Sequence, residues 1–141
     1  MRKIICFILF AAVFSCAGEF ADGQMKKFVD FTKKGKYEKA VSVFLDNHAL
    51  FLNDSLSKKQ NVVAHAGVAK KFITQHGKIV NYTKWRTRSL SKDMTETVYQ
   101  INCQYSAWMV EVIEYLPPNG KPVFNSVRYV SEEDVFKIYD R

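Results

Sequence analysis

Few residues in this chain could do chemistry, and their positions narrow what that chemistry would be. Tyr99 and Tyr105 carry phenols that could donate to a developing oxyanion, and Glu111, Glu114 and His65 could accept a proton. No two of them stand at a diagnostic catalytic spacing. Glu111 and Glu114 interrupt an apolar stretch and fall on opposite faces of a strand by parity, so at most one can point into a pocket. The expected place of each is an edge or rim, with its carboxylate in water. His65 stands between two alanines on the surface or boundary of a helix, and His76 ends that helix, where a cation suits the dipole. His48, His65 and His76 lie far apart without cysteine pairs beside them, so no zinc site and no other metal or cofactor is expected. Cys103 shares a strand face with Ile101 and Tyr105. A nucleophile there would need a histidine base and an exposed thiolate, so a core role is expected.

The chain opens Met1-Arg2-Lys3, continues uncharged from Ile4 to Phe14, and then reads Ser15-Cys16-Ala17-Gly18. A basic start, a short apolar stretch and a small-residue site are the marks of an export segment. The apolar stretch is shorter than the about 20 residues needed to span a bilayer. Residues 1–17 are therefore read as a signal segment, 18–23 as a tether and 24–141 as one domain. Two processing chemistries fit. One is a cut after Ala17; the other, favoured by the short length, is lipidation of Cys16 within Val13-Phe14-Ser15-Cys16, where Phe14 departs from the usual small or aliphatic residue. The formal charge is +7, and +5 without Arg2 and Lys3. A stripe of Lys84, Arg86, Arg88 and Lys92, interleaved with Tyr82 and Trp85, would suggest nucleic acid in a cytosolic protein. Export argues against that, and a solvated sheet face is expected instead.

The elements that must position these residues split into two halves. Helices are expected from Gln24, broken at Gly35, and over Lys58–His76 behind a Ser57–Gln60 capping box, with Gly77 as the stop. After Gly77 the period becomes two. Strands are expected over Ile79–Leu90, Met94–Tyr105, Trp108–Leu116, Val123–Val130 and Val135–Tyr139, separated by turn-forming clusters. Short turns imply a largely antiparallel sheet, and the order implies an α+β fold with N-terminal helices packed on a curved, cone-like sheet. A Ser91-Lys92-Asp93 loop would pair Leu90 with Met94, Arg88 with Glu96, Arg86 with Val98 and Trp85 with Tyr99. Trp85, Tyr99, Ile101 and Tyr105 are then the candidate pocket wall.

Lys34-Gly35-Lys36-Tyr37-Glu38-Lys39-Ala40-Val41 resembles the Gly-x-Tyr-x-x-Ala turn into the second helix of the nuclear-transport-factor-2-like superfamily. Ser131-Glu132-Glu133-Asp134-Val135-Phe136-Lys137-Ile138 resembles its closing hairpin, with Val135 and Phe136 where glycine and tryptophan are usual. The resemblance covers the layout from Gln24 to Arg141. It implies a cone with a central pocket, makes a sheet-to-sheet homodimer plausible, and carries no activity by itself. Enzymes of that superfamily use Asp, His and Tyr inside the cone. The reading is an exported, membrane-tethered binding protein of the periplasm or outer membrane, otherwise secreted, taking a small apolar ligand or an envelope protein. The alternatives are a small isomerase, dehydratase or hydrolase, and an inhibitor or immunity-type partner protein. A buried, desolvated carboxyl beside Tyr99 or Tyr105 would favour the enzyme; a wall of apolar and aromatic residues alone would favour binding.

Overall fold

The computed structural model describes residues 2–118 and 120–130, with side chains from Gly18 onward. The closing strand expected at Val135–Tyr139 lies outside these residues. Helix α1 runs unbroken from Arg2 to Lys33. Ala21, Met25, Phe28, Val29 and Thr32 are buried along it, spaced three to four apart as a helical core stripe requires. The stretch 18–23, expected as a tether, is part of this helix. Ala21 is fully buried and the Phe20 ring stacks on Phe124 at 5.1 Å, because apolar burial there outweighs the freedom of a loose leader.

Gly35 ends α1 with φ +68°. The N–H groups of Gly35 and Lys36 reach back to the carbonyls of Thr32 and Phe31, a closure that a left-handed glycine permits. Helix α2 (Tyr37–Leu45) follows, then a 3₁₀ turn (Ala49–Phe51) and helix α3 (Ser55–His76). The start of α3 lies earlier than the capping box suggested. Asp54 is the cap, its Oδ1 accepting from the Ser57 N–H at 2.9 Å, and Ser57 is inside the helix.

Strands β1 (Ile79–Ser91), β2 (Met94–Cys103), β3 (Ala107–Tyr115) and β4 (Val123–Val130) form one antiparallel sheet in sequence order. The helices cover one face of it. Phe28, Phe44, Trp108 and Phe124 are the large residues of the core there, with Phe72 stacked on Trp108 at 4.9 Å. Each such ring contributes roughly 1.5–3 kcal/mol by leaving water.

The first hairpin keeps part of its expected register: Ser89 pairs with Thr95, Arg88 with Glu96, Thr87 with Thr97 and Arg86 with Val98. Its ends differ. Ser91 rather than Leu90 faces Met94, across a two-residue turn, and Lys84 rather than Trp85 faces Tyr99. Both shifts are irregularities in β1, and an extra residue turns the neighbouring side chains onto the other face. Trp85 therefore packs with Val98, Met109 and Val130 on the sheet face away from the helices. Arg86 shares that face, its guanidinium 5.0 Å above the indole.

Candidate ligand site at the seam of helices and sheet

The expected pocket wall divides among three places. Tyr99 and Ile101 are fully buried in the main core beneath α1. Trp85 is half-buried on the outer face, where the bulge put it. Tyr105 is 72% exposed in the loop after β2, because the strand stops at Cys103 and the chain turns to meet the end of α3. The Tyr105 N–H donates to the His76 carbonyl at 3.0 Å. Cys16 lies within α1, ahead of the described side chains.

The glutamates stand on opposite faces, as parity requires, but neither carboxylate is in water. Glu111 is buried on the outer face against Arg128, at 2.9 Å. Glu96 is buried beside it and holds both Arg86 and Arg88, at 3.1 and 2.6 Å. These pairs line a shallow groove of about 310 Å³ and answer one another's charge. Glu114 faces the helices and is only 1% exposed. Neither of its oxygens has a hydrogen bond of good geometry among the described residues. Burial pushes its carboxyl up to about 8, with the negative charge of Asp22 adding to the rise. Beside it the Tyr99 hydroxyl donates to Asp22 Oδ1 at 2.7 Å, and Lys84 pairs with the other oxygen of Asp22. Burial and the Asp22 charge hold the Tyr99 phenol well above its ordinary range, so it stays a neutral donor.

A separate cleft of about 190 Å³ opens where α2, the 3₁₀ turn, α3 and β4 meet. Its walls are Val41, Phe44, Leu45 and Phe51, with Val127 and Tyr129 from the sheet and Leu50 and His65 also lining it. The sequence put His65 on the surface or boundary of a helix; it is half-buried, at the boundary, and lines this cleft. His48, not singled out by sequence, is its most constrained polar group. The backbone around His48 pairs with Phe124 in a parallel bridge, and the Phe124 N–H donates to the Asn47 carbonyl at 2.8 Å. His48 Nδ1 accepts from the Leu50 N–H at 3.2 Å, which leaves Nε2 to carry the ring proton when the ring is neutral. Burial lowers its pKa below the ordinary value and favours that neutral form. Burial also raises the Tyr129 phenol. The cleft thus presents apolar walls with a neutral imidazole and a neutral phenol.

Cys103 is half-buried and accepts from Trp108 Nε1 at 3.2 Å, while burial pushes its thiol up, away from a reactive thiolate. Among the described residues no helix is long and apolar enough to cross a membrane. Comparison with known proteins returns no match: no protein family, no curated protein and no solved structure matches this chain.

Proposed function

We propose that this chain is an exported binding protein of the cell envelope, tethered through a lipid on Cys16, that seats a small apolar group in the cleft between α2, the 3₁₀ turn and β4. The cleft carries the reading. Its volume of about 190 Å³ is below the roughly 300–1,000 Å³ that engulfs a drug-sized molecule. That capacity suits one branched, aromatic or acyl end, presented by a small ligand or by a partner protein. Leu50 on its lip is 75% exposed, an apolar side chain offered to solvent at the mouth of the cleft. The neutral His48 and Tyr129 would orient the bound group by one or two hydrogen bonds without a charge to desolvate. The likeness of element order to the nuclear-transport-factor-2-like cone supports a ligand held between helices and sheet.

The test is to fill the cleft. Val127→Phe places a ring where the apolar group would sit. With anilinonaphthalene sulfonate as the fluorescent probe, the variant should weaken binding about tenfold or more, equivalent to about 1.4 kcal/mol. Its unfolding midpoint should stay near that of the parent. Unchanged probe affinity in a folded variant would remove the cleft from the account.

A second reading, a small isomerase or dehydratase, is favoured by one observation, the protonated and desolvated Glu114 near the Tyr99–Asp22 pair. There the protonated Glu114 would donate to a developing oxyanion, and the Asp22 carboxylate, which accepts from Tyr99, would take the α-proton. Its test is deuterium exchange at the α-carbon of a small ketone, lost in Glu114→Gln.

A further inference from the structure

Among the described residues, Glu114 alone has a carboxyl that is fully buried and lacks a well-formed hydrogen bond at both oxygens. An unpaired buried carboxyl is costly, so what it faces matters. It faces the backbone of α1. Its strand partner Phe124 stacks on Phe20 of α1, next to the fully buried Ala21, and the Ala21 N–H favours the ionised form. In the unbroken helix that N–H is committed to the carbonyl of Ala17, four residues back.

Processing would change this. A cut after Ala17 removes the carbonyl and leaves the Ala21 N–H among the four orphan donors of a new helix start. A lipid on Cys16 has a similar effect if residues 16 and 17 leave the helix to reach the bilayer. In both cases Gly18 becomes the cap residue and offers no side chain of its own. Ala21 is then the third helical position, whose N–H a capping oxygen ordinarily serves.

We propose that Glu114 is a docking site for the helix start that processing creates, its carboxylate capping the Ala21 N–H from the neighbouring strand. The inference rests on the export reading above, since an uncut chain has no new helix start. The positive end of the shortened helix favours the same anion.

The groups around Glu114 give the sign of the pH dependence. Asp22 of α1 disfavours the anion and Lys84 of β1 favours it; Tyr99 of β2 shares the site as a neutral donor, and Phe124 of β4 is its strand partner. In the uncut chain the carboxyl is raised from 4.5 to about 8. Its contribution to stability is then fully present below about pH 4.5 and is lost as the pH rises through about 8. In the cut chain the cap lowers the pKa. The loss of stability as the pH rises through the folded pKa is then smaller than in the uncut chain.

The experiment compares the uncut chain, made by cell-free synthesis, with the processed protein purified from the envelope, both in the same detergent. Intact mass fixes the first residue. In the processed protein, Glu114→Gln should speed amide exchange at residues 20–24 by a factor of roughly 5–30, the effect of a lost cap. In the uncut chain the same substitution should leave that exchange unchanged. Carbon-13 titration of the processed parent needs no variant and should place Glu114 clearly below the value of about 8 in the uncut chain. Equal acceleration in both forms, no acceleration in the processed form, or a carboxyl still near 8 after cutting would overturn the cap. A chain found uncut in the envelope would overturn the export reading and the cap with it.

Discussion

Three glutamates on two neighbouring strands meet three different fates, and the cause is the face each one occupies. Glu96 and Glu111 point away from the helices, where Arg86, Arg88 and Arg128 can reach them. Glu114 points under α1, where no cation arrives at hydrogen-bond distance among the described residues. Glu96 is the one that two arginines depend on. Glu96→Gln should therefore cost roughly 1.5–3 kcal/mol, as loss of charge-assisted hydrogen bonds at a buried acceptor. Arg88→Ala should cost under about 1 kcal/mol, because that side chain is 39% exposed and solvent screens its share. Urea unfolding of the two variants checks the ordering, and an Arg88 variant as damaged as the Glu96 variant would contradict it. The parity of Glu111 and Glu114 was legible in the sequence. Their burial was not, since parity names a face and says nothing about what covers it.

The glycines and turn clusters made the elements readable. Gly35 and Gly77 stop helices at positive φ, and β4 has the bounds that its alternation predicts. What escaped was local irregularity. The shift between Lys84 and Arg86 has no glycine or proline to announce it, yet it moves Trp85 to the opposite face and removes it from the expected pocket wall. The run of α1 through residues 18–23 escaped for a different reason. Only the position of Phe124, about a hundred residues later, gives Phe20 a surface to stack on. The two glycines should also respond differently to alanine. A Cβ at Gly35 meets nothing within 4 Å, so Gly35→Ala should cost only the left-handed strain of roughly 1–2 kcal/mol. A Cβ at Gly77 would stand 2.7 Å from Gln104 Cβ, adding a clash against a neighbouring chain segment. Thermal unfolding should therefore rank Gly77→Ala as the more damaging substitution, and equal midpoints would contradict that close approach.

On the scale of the whole molecule, the sheet has two occupied faces with different characters. The helix face holds the aromatic core, with the His48 cleft at its edge. The outer face holds Trp85, Val98, Met109 and Val130 beside matched ion pairs. The α+β layering followed from the order of periodicities, but the cleft did not. It arises where a 3₁₀ turn, too short to carry a pattern, lies against the start of β4. Ligand binding is proposed for that cleft. The direct measurement is the methyl spectrum of the isotope-labelled chain during titration with octanol, an apolar probe with one polar end. Saturable shifts at Val41, Leu45, Leu50 and Val127, with Val98 and Val130 unmoved, are the predicted result; shifts confined to Val98 and Val130, or none at saturation, would contradict it.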